Sequence, residues 1–178
     1  MKAGLAVSLR SLSVRRGEKW VLRDISWQLR PGERWALLGH NGAGKTQLLK
    51  LLSGEVWPTP TRSSAAREKA ARLYRSAGQT IDLLEAKQRM AYIGGERQDK
   101  YARYAWNLVV RDVVATGLHR TDLLLAPIGR PEGKRVSSML RACGLTRIAT
   151  RSFLSLSYGE KRLVLLARAL VQDPDWLL

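Results

Sequence analysis

Alternating apolar and polar residues mark the first thirty positions of the chain. Residues 5–9 alternate strictly, and Leu12 and Val14 resume the alternation after a shift in phase that predicts a β-bulge. A turn at residues 16–18 leads into a second alternating run at residues 20–29. We therefore expect this part of the chain to form two β-strands, each with one buried face.

Apolar residues recur at helical spacing in the second half of the chain. Valines at this spacing predict a helix over residues 109–117, and the same pattern recurs over residues 136–144 and 163–171. Glycines end the first two of these segments, and Asp173-Pro174 ends the third. Residues 64–75 are rich in Ala and Arg, whose helical propensity predicts a further helix.

Two short apolar runs, Trp35–Leu38 and Met90–Ile93, predict buried strands. Directly after the first run comes a glycine-rich loop, and residues 47–52 then suit a helix that Gly54 would stop. Strand, glycine loop and helix in this order are the context in which proteins bind phosphate groups.

The loop itself matches the pattern G-x-x-x-x-G-K-[ST] over its whole length. Its glycines let successive backbone N–H groups point at phosphate oxygens, and the following helix adds its partial positive charge. The residues of this predicted nucleotide site are Gly39, His40, Asn41, Gly42, Ala43, Gly44, Lys45, Thr46 and the next residue, Gln47.

Two side chains of the loop have specific predicted roles. Lys45 would reach the β- and γ-phosphates, and the Thr46 hydroxyl would bind Mg²⁺. A glycine-rich turn with a surface lysine is the alternative interpretation. The strand predicted before the loop and the helix predicted after it favour the phosphate site.

A second motif opens the last predicted helix. A serine and a glycine at the start of a helix bring a hydroxyl, backbone amides and the helix dipole together, which favours an anion. Taken alone, the serine could equally be an ordinary helix cap. The motif consists of Leu156, Ser157, Tyr158, Gly159 and Glu160.

The two motifs in this order, followed by Asp173-Pro174 and apolar residues, resemble the ATP-binding domain of ABC transporters. The stretches 24–27, 31–39 and 167–170 are also similar to that family. The resemblance implies an α/β P-loop NTPase fold of the ABC type, with an antiparallel β subdomain, a parallel core sheet and an inserted helical subdomain. The fold would be incomplete at the C-terminus.

The resemblance also implies a division of the chain. Residues 1–178 would form a single, incomplete ATP-binding domain. Residues 5–57 would hold the β subdomain and the phosphate loop, residues 96–155 the helical subdomain, and residues 156–172 the signature segment with its helix.

The family's mechanism implies partners as well as cofactors. Two such domains pair head to tail around ATP and Mg²⁺, so that Ser157 and Gly159 would touch the γ-phosphate held by Lys45 of a second domain. Closure on ATP would then move attached membrane-spanning subunits, and hydrolysis would reopen the pair.

The sequence departs from the family pattern at two recognition positions. The aromatic residue that stacks on adenine is replaced by Arg16, whose guanidinium can also stack on a base. Trp20 is a candidate substitute for that aromatic residue, or else a core tryptophan. Gly95 stands where the family has a loop glutamine, and Gln98 could take that role or be a solvated loop residue.

The third departure concerns catalysis. In the family the strand after Asp173-Pro174 continues into an Asp-Glu pair that holds Mg²⁺ and polarises the attacking water, and a histidine follows. In this chain the strand begins at Trp176 and the sequence ends at Leu178. We therefore expect ATP binding without efficient hydrolysis by these residues.

Composition adds a charge of +16, from 31 Lys and Arg against 15 Asp and Glu. Nucleic acid, an anionic membrane surface and a nucleotide are the candidate partners of such a chain, and a face of solvated arginines explains the charge equally well. One cysteine fits a reducing compartment, and no apolar run approaches the length of about 20 residues that crosses a membrane, so we expect a cytoplasmic protein. The family resemblance implies that it is peripheral on the inner face of the membrane.

Two other functions remain open at this stage. A soluble ABC-type ATPase acting on nucleic acid or ribosomes would also account for the positive charge, although nucleic acid is the less favoured partner. A non-hydrolysing, nucleotide-binding regulator would account for the missing catalytic pair.

Overall fold

A computed structural model describes residues 3–60, 70–94 and 100–178 of the chain. These residues belong to two units. The first unit runs to Tyr92 and also includes Leu178, and the second runs from Ile93 to Leu177.

The first unit begins with the predicted pair of strands. Strand β1 (Leu5–Arg16) and strand β2 (Lys19–Leu29) pair antiparallel, and the buried residues of β1 alternate from Leu5 to Leu9 and again, after a shift, at Leu12 and Val14. The register shifts between Leu9 and Leu12, where Ser11 has a φ of 48°. The bulge predicted from the shift in phase is therefore confirmed.

Two further strands complete the sheet. Strand β3 (Ala71–Ser76) pairs antiparallel with β1, and strand β4 (Gln79–Ile81) pairs antiparallel with β3, giving the order β2-β1-β3-β4. The predicted helix over residues 64–75 is therefore wrong for residues 71–75, because pairing with the edge of β1 overrides a weak local propensity. Residues 61–69 lie outside the described residues.

Helix α1 (Lys45–Leu52) follows the glycine loop as predicted, and Gly54 has the left-handed φ of 76° expected just after a helix. Leu51 and Leu52 are fully buried. The remaining elements of the first unit are short: helix α2 (Leu83–Gln88) and strand β5 (Met90–Ala91).

Strand β3 holds the C-terminal end of helix α1. The last carbonyls of a helix have no partner within the helix and need one elsewhere. The Arg72 guanidinium donates to the Leu51 and Val56 carbonyl oxygens at 2.9 Å each, and the Tyr74 hydroxyl donates to the Leu52 carbonyl oxygen at 2.8 Å. Burial raises the pKa of Tyr74 to about 12 and lowers the pKa of Arg72.

The predicted buried strand Trp35–Leu38 is wrong. These residues have no regular secondary structure, and Trp35 and Leu38 are 58% and 89% exposed. An apolar run becomes a strand only where neighbouring strands accept its backbone groups. Within the described ranges, no strand of the sheet pairs with this run.

The second unit is mainly helical. Helix α3 (Val110–His119), helix α4 (Arg130–Ala142) and helix α5 (Tyr158–Leu170) confirm the three helices predicted at these places. Strand β6 (Trp176–Leu177) follows. No helix in the described part of the chain is long and apolar enough to cross a membrane.

Helices α3 and α5 approach each other closely at Gly117. A Cβ atom at this glycine would lie 2.1 Å from the Arg168 carbonyl oxygen, so no larger residue fits without moving a backbone. Arg168 is buried, and its guanidinium donates to the Thr116 hydroxyl at 2.9 Å and to the Thr121 carbonyl at 2.6 Å. The two helices are therefore joined by a polar contact within an otherwise apolar core.

The contact between β3 and α1 can be tested with Tyr74→Phe. The substitution leaves the buried Leu52 carbonyl without its donor, and we expect the free energy of unfolding to fall by about 1–3 kcal/mol in a urea melt. The raised pKa of Tyr74 means that its folded form holds the proton more tightly. The wild type should therefore lose this stabilisation between about pH 10 and about pH 12, and Tyr74→Phe should not.

The matched control is Tyr104→Phe, since Tyr104 is 55% exposed. We expect its melt to resemble that of the wild type. Equal stability of the Tyr74→Phe variant and the wild type would contradict the role given to this hydroxyl.

Candidate nucleotide-binding site

The glycine loop has a backbone that only glycine adopts easily. Gly39, Gly42 and Gly44 have φ angles of 155°, 86° and 91°. Gly44 also has no room for a side chain, because a Cβ atom there would lie 3.1 Å from the Val21 carbonyl oxygen. The glycines predicted from the motif are thus required by backbone conformation and, at Gly44, by close packing against β2.

The loop leads directly into the N-terminus of helix α1. Gly44 precedes the helix and no side chain caps it, and the Leu48 amide makes an early helical hydrogen bond, 2.9 Å to the Gly44 carbonyl oxygen. The first amides of a helix have no acceptor inside it. This end of α1 can therefore accept the oxygens of an anion.

Lys45 lies across the loop. Its Nζ donates to the Gly39 carbonyl at 2.6 Å and to the His40 carbonyl at 2.8 Å. These two contacts hold the ammonium group over the curled backbone rather than in solvent. A phosphate group in the loop would offer the same ammonium a charged acceptor, which forms a stronger hydrogen bond than a carbonyl.

Thr46 is exposed in the first turn of α1. Its hydroxyl is a hard oxygen ligand, the kind that Mg²⁺ takes from proteins alongside phosphate oxygens. Within the described residues, no group of three or more His, Cys, Asp and Glu side chains could hold a metal ion.

The structure brings Arg16 and Gln47 together. Arg16 ends β1 and Gln47 lies in the first turn of α1, and the Arg16 Nη2 donates to the Gln47 Oε1 at 3.3 Å. Two residues that the sequence analysis assigned to the nucleotide for separate reasons are therefore neighbours beside the loop. Both also belong to the first unit, in which α1 follows the glycine loop.

Trp20 is not a core residue. It is 38% exposed, and the Arg15 guanidinium lies over its ring at 5.8 Å from the centroid. The strand pairing explains this contact, since Arg15 and Trp20 are opposite each other in β1 and β2. Trp20 remains a candidate for contact with a base, with Arg15 as a neighbour that the sequence analysis missed.

The second motif lies in the second unit, at the start of α5. Ser157 is the N-cap: its hydroxyl accepts from the Glu160 amide at 3.3 Å, and the Glu160 carboxylate accepts from the Ser157 amide at 2.8 Å. This reciprocal pair is a capping box. Hydrogen bonds from the Ser157 backbone and then from its side chain hold the pKa of Glu160 below its usual value, and Arg151 adds to the effect.

The other residues of this motif differ in exposure. Leu156 is buried, whereas Tyr158 is 65% exposed and its hydroxyl accepts from the Arg162 guanidinium at 2.6 Å. A Cβ atom at Gly159 would meet nothing within 4 Å. The serine and glycine that the sequence analysis assigned to a second nucleotide therefore lie at an open helix end.

Some residues that matter to the site had no signal in the sequence. Arg72 and Tyr74 hold α1 from a segment predicted as a helix, so their spacing suggested no contact with the loop helix. Gln98, the candidate loop glutamine, and Gly95 lie outside the described residues.

Comparison with known proteins identifies a family. The ABC transporter family model matches residues 22–178. The chain is 29% identical over 172 residues to an uncharacterised ABC transporter ATP-binding protein of Lactococcus lactis, covering 97% of this chain and 62% of that protein. It is 34% identical over 170 residues to a hemin import ATP-binding protein of Aliivibrio fischeri, covering 96% and 59%.

Solved structures give the same fold. A nucleotide-free ATP-binding cassette from an ABC transporter superposes with a TM-score of 0.71 at 15% identity, covering 99% of this chain and 68% of that one. A dimeric ATP-binding cassette bound to ADP and phosphate superposes with a TM-score of 0.69 at 19% identity, covering 96% and 72%. The mixed α/β fold with an antiparallel sheet and a helical region is that of these ATPases, as predicted.

The chain spans about three fifths of the length of the curated relatives that it matches, 61–62% for three of them. The family model nevertheless covers most of the chain, including the glycine loop and the capped helix α5. The chain therefore belongs to the ABC transporter family of ATP-binding proteins.

Proposed function

We propose that this chain is the ATP-binding part of an ABC transporter and that its glycine loop holds the phosphates of ATP together with Mg²⁺. The observation that carries the proposal is the placement of the Lys45 ammonium over a loop of left-handed glycines at the uncapped N-terminus of α1. Backbone amides, the helix dipole and the positive charge of Lys45 lie together there, as a triphosphate requires.

Lys45 would exchange its two carbonyl acceptors for phosphate oxygens when ATP binds. The carbonyls are neutral and the phosphates are charged, so the exchange favours the nucleotide. Thr46 would place its hydroxyl on Mg²⁺, with the phosphates supplying further oxygen ligands. The metal, when bound, neutralises phosphate charge.

Arg16 would bind the base. Its guanidinium is planar, and Gln47 accepts from one of its nitrogens, which limits the orientations that the plane can take. The hydrogen bond lies in the plane of the guanidinium, so a purine could stack on a face of that plane. Gln47 would act as a positioning residue for Arg16.

The second motif would act on the ATP of another copy. Ser157 and Glu160 satisfy each other at the start of α5, which fixes the helix end and its serine in place. In a head-to-tail pair, Ser157 and Gly159 would then face the γ-phosphate held by the second domain. One solved relative is dimeric with ADP and phosphate, and another belongs to a complex named cbiONQ, which supports pairing and a role for further subunits.

Lys45→Ala should weaken ATP binding by about 10–100-fold, the loss expected for a charge-assisted hydrogen bond to phosphate. The measurement is a titration with a fluorescent ATP analogue in the presence of Mg²⁺. Lys19→Ala removes an exposed lysine of β2 and serves as the charge-matched control, with wild-type affinity expected. Equal affinities of the Lys45→Ala variant and the wild type would exclude the proposed site.

Arg16→Ala and Arg16→Lys separate stacking from charge. A stacking role needs the planar guanidinium, so we expect both variants to lose about threefold to tenfold in ATP affinity. Neither should change competition by inorganic triphosphate, which has no base. Retention of ATP affinity in Arg16→Lys alone would instead assign Arg16 to the phosphates.

The polypeptide of residues 1–178 should bind ATP without turning it over. Losing one well-placed catalytic group costs about 10²–10³-fold in rate, and these residues include neither carboxylate of the Asp-Glu pair that the family uses. The assay is steady-state phosphate release with Mg²⁺, using Lys45→Ala as the background. Multiple turnovers that disappear in Lys45→Ala would contradict this expectation.

A further inference from the structure

Among the described residues, none of those assigned to the nucleotide lines a groove found in the second unit. Its volume is about 1050 Å³, and it opens between the start of α3, the loop before α4 and one face of α4. The nucleotide loop lies in the first unit, and Ser157 at the start of α5 is not among the residues that line this groove. Its chemistry is therefore independent of the proposed ATP site.

The α4 side of the groove is basic along its length. Positions four and seven residues apart fall on one face of a helix, and this face presents basic or hydroxyl side chains at each of them. The rise of 1.5 Å per residue spreads the positive charges over about 16 Å. The residues of this face are Arg130, Lys134, Ser137, Ser138 and Arg141.

Little negative charge opposes this face. Arg111 also lines the groove and pairs with Asp112 at 3.4 Å. Among the residues that the structure describes, Arg130, Lys134 and Arg141 have no acidic partner within 4 Å. Glu132, the nearest acid in sequence, accepts from the Gly129 amide and lies 3.3 Å from the His119 Nε2.

The loop before α4 lines the groove with apolar side chains. Leu124, Pro127 and Ile128 line it, and Leu125 between them is 87% exposed. Leu124 and Ile128 pack in part against the core of the unit, and Leu125, Ala126 and Pro127 between them are exposed. A single exposed leucine is ordinary, but three successive exposed apolar residues beside a row of basic side chains are not. Apolar and basic side chains side by side are the combination that binds the interface of a membrane.

We propose that this groove and the loop at residues 124–128 bind the anionic lipid surface of a membrane. The basic face of α4 takes the phosphate-bearing headgroups, and Leu125 enters the boundary between headgroups and acyl chains. The helical unit thus contacts lipid directly, in addition to any contact with membrane-spanning subunits. This inference concerns neither the nucleotide nor the residues that hold it.

Lipid fits this surface better than nucleic acid does. Proteins that hold single strands combine positive charge with aromatic side chains on which bases stack, and no aromatic residue is among those that line the groove. The apolar loop has no role against a phosphodiester backbone, whereas a lipid interface accommodates it.

The test uses flotation of the protein with vesicles. We expect binding to phosphatidylcholine vesicles that contain phosphatidylserine, weak binding to phosphatidylcholine alone, and loss of binding as salt is raised. The variant Arg130→Gln/Lys134→Gln/Arg141→Gln should lower the partition coefficient about a hundredfold, since each basic side chain near the surface contributes about fivefold.

The matched control removes the same charge elsewhere. Arg10→Gln/Lys19→Gln/Arg23→Gln neutralises three exposed side chains of the sheet and should bind vesicles nearly as the wild type does. Leu125→Ser tests the apolar contact without changing charge, and we expect about a tenfold loss that persists at high salt. Circular dichroism of each variant verifies that it is folded.

Three results would overturn the proposal. The first is equal binding of the wild type to vesicles with and without phosphatidylserine. The second is an equal fall in vesicle binding for the α4 variant and the sheet control, which would mean that only net charge matters. The third is binding of polyuridylic acid without binding of vesicles, which would assign the groove to nucleic acid. Affinity for the fluorescent ATP analogue should stay unchanged in the α4 variant, so failure here is distinguishable from failure of the proposed ATP site.

Discussion

The nucleotide site depends on the last carbonyl groups of helix α1, which have no partner within the helix and need hydrogen-bond donors from elsewhere. Arg72 and Tyr74 of β3 satisfy them, and both side chains are held in place by the pairing of β3 with β1. A helix of eight residues is too short to be stable alone, so its position comes from such contacts. Lys45 and Thr46 at its other end are placed by the same contacts.

The N-terminal end of α1 is open for a complementary reason. Gly44 leaves the first amides without a cap, and its missing side chain allows the loop to pass close to Val21. The loop therefore packs closely against β2 on one side, and the first backbone amides of α1 carry no side-chain cap. Arg16 reaches the same place from the end of β1, because the hairpin and helix pack in one unit.

The start of α5 in the second unit differs from the start of α1, because α5 has a side-chain cap and α1 has none. Ser157 and Glu160 form a capping box at the start of α5, and Gly117 lets α3 approach the other end of α5 near Arg168. The capped helix start and the close backbone contact restrict the conformations that Ser157 can take. The basic face of α4 lies outside this core, where its charges remain solvated and its side chains remain accessible.

Features of local structure that depend on residues close together in the sequence could be predicted from the sequence alone. The glycines of the loop, the bulge in β1 and the helices of the second unit follow from local backbone preference or from periodicity, and they were predicted. The cap at Ser157 was only the alternative interpretation of that serine, and Gly117, predicted to end its helix, lies inside α3. Three other features depend on contacts between distant segments and are seen only in the folded chain. Residues 71–75 form a strand because β1 offers a free edge, and Trp35–Leu38 is exposed because no strand in the described part of the chain pairs with it. Arg16 met Gln47 for the same physical reason: hydrogen bonds between distant segments depend on which partners the folded chain brings within reach.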